Sequence, residues 1–269
     1  MHRMSPIPDW FYSIDFEQPL DATQAILSLD RPHTAEVGLE SQVEMVVFSP
    51  SGILYDDSAF ARWLVQLLNR LGVRTEYSSF RCLLERDGLR SAYVGQADYW
   101  QSLRSMLAEI GLSRSQIKEV EAAGYSRWRS HESNLRLLPG VANTLERLAA
   151  SGLQLGVIVN SHVAPCELID RFERLGICHH LHAIVGSRDT GHVLPDDNAF
   201  QALIAQLQTP HSRIAFVSNC SMELHAARQA ELVSIAVGAS EKPPEAIAIK
   251  RLTDITTVLH RGQSSLLVA

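Results

Sequence analysis

The sequence predicts an α/β protein, a doubly wound parallel sheet with a helical domain inserted after its first strand. Three observations carry that prediction. From residue 43 onward, short β-branched runs alternate with amphipathic helical stretches. The runs are continuously apolar rather than alternating, the pattern of strands covered on both faces. Between residues 57 and 135 the strand signal lapses and only helical patterns remain. Such an architecture places function at the carboxyl ends of the strands.

Residues 1–42 match neither part: "DWFYSIDF" reads as an aromatic arm, and "LDATQAILSLD" as a short helix capped by Asp21. The first strand, Glu44–Phe48, ends in the turn "SPSGILYDDS". Next come "FARWLVQLLNRLG", "DYWQSLRSMLAEIG" and "SQIKEVEAAGYSRW", each with apolar residues at helical spacing. Pro139-Gly140 restarts the alternation, with expected helices Val141–Ser151, Ala164–Leu175, Asp197–Leu207 and Met222–Ala230. Interleaved with them are expected strands Gln154–Val159, Ala183–Val185, Ile214–Val217 and Val233–Val237, and a weaker sixth, Ala246–Ile249. The expected organisation is an N-terminal extension (1–42), an α/β core (43–56 and 136–269) and a helical cap (57–135).

Composition narrows the function. The chain has 269 residues, a net charge of −6 and no basic cluster beyond Arg127, Trp128 and Arg129, so a nucleic-acid interface is not expected. No apolar run approaches the roughly 20 residues that cross a bilayer, and the polar start "MHRMSPIPDW" does not read as a signal peptide. The expectation is a soluble cytoplasmic protein. Cys82, Cys166, Cys178 and Cys220 are scattered, which reads as free thiols or small core residues. "CHHLH" at 178–182 is either a metal site or a polar connection before a strand; no second ligand group stands at the spacing a metal needs.

Three blocks, in order, carry a resemblance. "LLPGVANTLERLAASGLQLGVIVNS", "IVGSRDTGHVLPDDNAFQALIAQL" and "RIAFVSNCSMELHAARQAELVSIAV" resemble the later motifs of the haloacid dehalogenase (HAD) superfamily. More narrowly, they are similar to its phosphoglycolate-phosphatase-like and phosphoglucomutase-like branch with a helical cap. The resemblance spans about residues 43–260 and implies a Rossmann-like core. It also implies an aspartate nucleophile that forms an aspartyl-phosphate and a second aspartate two residues later as acid/base. A hydroxyl on the second strand and a lysine would hold the phosphoryl group, and acidic residues would bind Mg²⁺.

Laid on this chain, those positions are changed. The nucleophile position falls on Ser49 and the acid/base on Ser51, with Gly52 and Leu54 retained and Ile53 in place of the usual threonine. The hydroxyl position falls on Val159, before Asn160 and Ser161, and the lysine position on Leu194, before Pro195 and Asp196. In the last motif the leading aspartate is Asn219 and the later one Glu223. A serine hydroxyl without a base cannot replace a carboxylate nucleophile. Glu223, with Asp56 or Asp57 pointing toward the cap, offers too few oxygens for Mg²⁺, so no metal or other cofactor is expected unless the chain is an active hydrolase.

Acids and lysine vanish together, which predicts a neutral cleft at no loss of stability. The expectation is therefore a pseudoenzyme with a binding or regulatory role, its partner a phosphate or small anion, or a protein held by the cap or the N-terminal arm. Ser49, Ser51, Asn160, Ser161, His162 and Asn219 are the candidate ligand-binding residues. Backbone amides of the Ser-Pro-Ser-Gly turn and of a helix start at Asn160–Ser161 would supply anion donors, less one for Pro50. The alternative is an active hydrolase of small organic phosphates that uses other residues. A Ser49–His162 pair with Asp196, or a Cys220 thiol, is one form of it; against the pair, His162 reads as the start of a helix capped by Ser161.

Overall fold

A computed structural model describes residues 43–239 and 241–264; the aromatic arm and short helix expected in residues 1–42 lie outside the described residues. Strand β1 (Met45–Phe48) leads into five helices: α1 (Ser58–Arg70), α2 (Tyr77–Leu83), α3 (Arg90–Tyr93), α4 (Tyr99–Glu109) and α5 (Arg114–Asn134). The α/β alternation follows: α6 (Val141–Ala150), β2 (Gln154–Val159), α7 (Pro165–Arg174), β3 (Ala183–Gly186), α8 (Ser187–Thr190), α9 (Asp197–Leu207) and β4 (Ile214–Ser218). It closes with α10 (Ser221–Gln229), β5 (Val233–Val237), β6 (Ile247–Ile249) and α11 (Ile255–Ser264). The six strands form one parallel sheet in the order β3-β2-β1-β4-β5-β6. The expected strands are all present, with ends shifted by no more than one residue.

The continuous apolar runs follow from the two-sided burial of the sheet. In β1, Val46 and Phe48 enter the layer that holds Leu145, Leu148 and Phe172, whereas Met45 and Val47 enter the opposite layer with Phe200 and Leu203. Strand β4 divides the same way, Ala215 and Val217 against Ile214 and Phe216. Successive side chains point to opposite faces, so a strand covered on both sides needs an apolar residue at every position. Burying a Val, Phe or Met contributes about 1.5–3 kcal/mol, so a charge at Val46 or Val47 would break the centre of the sheet.

The inserted helices have a core of their own, built on Phe60, Leu64, Leu68, Phe80, Leu103, Leu107 and Val120. Helix α4 starts at Asp98, whose carboxylate accepts from the Trp100 and Gln101 amides, and α5 at a reciprocal Ser113–Gln116 cap. Several polar links tie the insert to the sheet layer, three of them to α7, α8 and the loop before α9. Arg171 of α7 donates twice to Glu132 of α5, at 3.0 and 3.2 Å. Arg90 of α3 pairs with Asp196 at 2.5 Å. Ser187 Oγ donates to the Tyr93 carbonyl at 2.8 Å. No helix among the described residues is long and apolar enough to cross a membrane.

Candidate functional site

The strand order reverses between β1 and β4, where the chain leaves for one edge and later returns for the other. A crevice opens at the carboxyl ends of strands flanking such a switch point. Ser49 and Ser51 follow β1, Asn160 follows β2 and Asn219 follows β4. With Leu194, Glu223 and the insert's Ser78, Arg81 and Arg90 they line one cleft of about 550 Å³. The structure thus brings four of the six candidate ligand-binding positions, Ser49, Ser51, Asn160 and Asn219, together in this cleft, while Ser161 lines only the neighbouring cavity. His162 lines that cavity too, with Tyr99 and Trp128.

Backbone geometry shapes the first loop. Ser49 is buried, and its amide continues the sheet by donating to the Val217 carbonyl. The Pro50 carbonyl accepts from the amides of Ile53, Leu54 and Tyr55, while the Gly52 amide donates to the Tyr55 carbonyl. Gly52 has φ +70, and a Cβ there would lie 2.5 Å from Asn219 Nδ2, so the close approach of the two loops requires glycine. The expectation is corrected in part: two of the expected anion donors of this turn are spent within the structure, the Ser49 amide on the Val217 carbonyl and the Gly52 amide on the Tyr55 carbonyl.

The second expected source of donors is also corrected. Helix α7 begins at Pro165, with Glu167 reaching back to the Ala164 amide, so Asn160 and Ser161 are not at its N-terminus. The Ser161 amide donates to Ser187 Oγ at 2.9 Å, and the Ser161 hydroxyl accepts from the Val163 amide. Asn160 clasps the Leu194 backbone at both ends, accepting from its amide at 2.8 Å and donating to its carbonyl at 3.0 Å. Val159 and Leu194, at the hydroxyl and lysine positions, are buried apolar side chains.

Charge in the cleft differs from the neutral lining expected. Arg81 Nη2 donates to Ser51 Oγ at 3.2 Å, and Ser51 Oγ donates to Asp57 Oδ1 at 2.6 Å. Asp57 therefore turns back to the β1 loop, not away toward the cap. Asp56 serves as a turn cap; hydrogen bonds from the Ser58 hydroxyl and amide hold its carboxyl below the ordinary carboxylate value. Arg90 brings a second cation, paired with Asp196, so that aspartate is engaged away from any Ser49–His162 pair.

The family's Mg²⁺ does not fit this donor set. Ser49 and Asn219 present neutral oxygens, and Glu223 Oε2 accepts from Ser218 Oγ at 2.7 Å. Among the described residues no group of three or more His, Cys, Asp or Glu side chains converges as metal ligands, and "CHHLH" lies in a short turn, Cys178–His180, with His182 Nδ1 accepting from the Leu155 amide.

Below the insert, Tyr55, Arg171 and Glu132 form a buried network in which Arg171 hydrogen-bonds both partners. Burial raises the Tyr55 phenol, and the Arg171 charge opposes that shift. His162 is stacked on Tyr99, ring centroids 4.3 Å apart, and lies 5.2 Å from Trp128. Burial, reinforced by Arg171, lowers its pKa to about 4. Sequence reasoning missed Arg81, Arg90, Tyr99, Glu132 and Arg171, since each looks like one more residue of an amphipathic helix.

A doubly wound parallel sheet with helices inserted after β1 and a cleft at its switch point defines a Rossmann-like α/β scaffold. A family model described as haloacid dehalogenase-like hydrolase matches residues 97–237, more than half of the chain, and the protein belongs to that family. Solved structures share the fold at low identity. L-2-haloacid dehalogenase from Xanthobacter autotrophicus is 18% identical, with TM-score 0.58 over 81% of this chain and 99% of its own. A predicted phosphoglycolate phosphatase from Haemophilus somnus is 20% identical, with TM-score 0.58 over 81% and 98%. β-Phosphoglucomutase from Clostridium difficile is 15% identical, with TM-score 0.60 over 84% and 100%. No curated protein matches the sequence.

Proposed function

We propose that this chain is a haloacid dehalogenase-like protein without the family's phosphatase chemistry, and that it acts as a binding or regulatory protein. The observation that carries the proposal is the β1 loop. Its backbone holds Ser49 at the strand end facing the cleft, but the side chain there is a neutral hydroxyl, and Asn219 opposite is also neutral. A serine needs an adjacent base to attack, and the two carboxylates that close the loop are engaged elsewhere, Asp57 by Ser51 and Asp56 by Ser58. The ligand of the cleft is then a small anion: Arg81 and Arg90 face it from the insert, in place of the turn amides.

Assay of the purified chain with Mg²⁺ against phosphoglycolate, sugar phosphates, an aryl phosphate and 2-chloropropionate tests the proposal. It predicts no turnover above background; turnover abolished by Ser49→Ala overturns it. A second reading rests on the 2.6 Å Ser51–Asp57 hydrogen bond. In it Asp57 takes the Ser51 proton and Arg81 stabilises the developing charge, giving a metal-independent hydrolase of small organic phosphates. Metal-independent turnover lost in both Ser51→Ala and Asp57→Asn selects that reading.

A further inference from the structure

Where the chain returns from the insert to the core, a groove of about 590 Å³ lies between residues 135–137 and helix α7. Arg136 lines it from the returning connection, Arg171 and Arg174 from α7, and Glu132 from α5. The connection is fixed in place, since Leu137 bridges Tyr55 and the Leu138 amide donates to the Leu54 carbonyl at 2.9 Å. Arg171 and Arg174, three residues apart on a helix, share one face.

The charges of this groove do not balance. Glu132 is the one carboxylate among its lining residues, against three guanidiniums. Both Glu132 oxygens accept from Arg171, at 3.0 and 3.2 Å. Arg174 comes no nearer to Glu132 than 3.9 Å, beyond hydrogen-bond length, and no other acceptor among the described residues reaches it. Arg136 donates through Nη1 to the Ser133 and Leu135 carbonyls and pairs with no carboxylate among the described residues. These two arginines stand at the carboxyl ends of α5 and α7, and each helix end offsets about half a charge. Roughly one positive charge is left over, in a chain whose net charge is −6.

We propose that this groove binds an oxoanion carried on a small apolar body, with Arg136 and Arg174 as the groups that hold it. A guanidinium presents paired N–H donors that match a carboxylate, sulfate or phosphate group two at a time. Arg171 stays on Glu132 and contributes charge. Leu135, Leu137 and Leu175 give the apolar body a surface. A volume of about 590 Å³ is more than a bare ion fills and falls within the roughly 300–1,000 Å³ of small-molecule sites. The groove shares no lining residue with the strand-end cleft, so the proposal stands whether or not the cleft takes an anion.

Calorimetric titration of the full chain with phenylphosphonate at low salt tests it. The expected result is a saturable site with a dissociation constant of about 1 mM or tighter. Arg136→Gln combined with Arg174→Gln should weaken that site at least about tenfold. Both side chains are exposed, so the variant should fold, which circular dichroism confirms. The corresponding double lysine variant keeps the charges but loses the paired donors, and should bind at least about threefold more weakly than the parent. Arg81→Gln combined with Arg90→Gln, in the cleft, should leave the site unchanged. Inorganic phosphate, which lacks the ring, should bind at least about threefold more weakly than phenylphosphonate. Absence of saturable binding at about 20-fold the expected dissociation constant overturns the proposal. So does equal affinity in the parent and the folded glutamine variant. Loss confined to the Arg81 and Arg90 variant overturns it as well, and leaves an anion in the cleft standing.

Discussion

Replacing Glu132 by alanine should destabilise the protein by about 3 kcal/mol, and the reason is the cation it leaves behind. Arg171 is 8% exposed and donates to Glu132 through Nε at 3.2 Å and Nη2 at 3.0 Å. Its remaining partner, the Tyr55 hydroxyl, is on a residue 1% exposed and is neutral. Removing one member of a buried ion pair costs about 3–5 kcal/mol, because the other charge stays in a poorly solvated place. The lower end applies here: the Glu132 side chain is 22% exposed and the adjoining cavity admits water to the guanidinium. For a domain of this size 1 kcal/mol moves the Tm by about 2–4 °C, so a fall of about 6–12 °C is expected. Urea unfolding followed by circular dichroism gives the free energy directly. The double variant Glu132→Leu with Arg171→Met should recover most of the loss, since apolar replacement removes both desolvation penalties. A loss below about 1 kcal/mol in Glu132→Ala, or a double variant no better than the single, would refute the claim that this pair fastens the insert to the core.

Gly52→Ala should cost about 1–2 kcal/mol from its φ of +70, with Asn219→Ala relieving only the contact part; denaturant titration of both variants separates the two. His162 contributes a pH dependence. Its folded pKa of about 4 lies below the unfolded value of 6.5, so the unfolded chain binds the proton first, and stability is intact above pH 6.5 and declines as pH falls toward 4. This component should amount to about 3 kcal/mol by pH 4 and be lost from His162→Phe in thermal melts across that range.

The fold was legible because two-sided burial leaves a mark at every strand position. The runs "MVVF" and "QLGVIV" admit no polar alternation, and their limits coincide with β1 and β2 almost to the residue. The strand-end positions were legible for the same reason: once a strand is placed, the residue after it is at the cleft. What surrounds them was not. Arg81 lies 30 residues from the Ser51 it bonds, and nothing in "FRCLLERDGLR" tells which arginine faces the sheet. Ser161 has the chemistry of a helix cap, but Pro165 fixes the start of α7 four residues later, and Ser187 takes the amide that an anion would have used. Similarly, His162 reads as the start of a helix capped by Ser161 until the insert folds Tyr99 and Trp128 over it. Side-chain environments created by long-range packing leave no local periodicity to read.

The claim that catalysis is missing because particular side chains are missing is tested most directly by side-by-side phosphatase assays with Mg²⁺. The comparison sets the parent chain against one variant carrying Ser49→Asp, Ser51→Asp, Val159→Thr, Leu194→Lys and Asn219→Asp. The predicted result is no turnover by the parent and metal-dependent turnover by the folded variant, since the β1 loop and the Gly52–Asn219 approach still present the positions. Metal-dependent turnover by the parent at a rate equal to the variant's would contradict it.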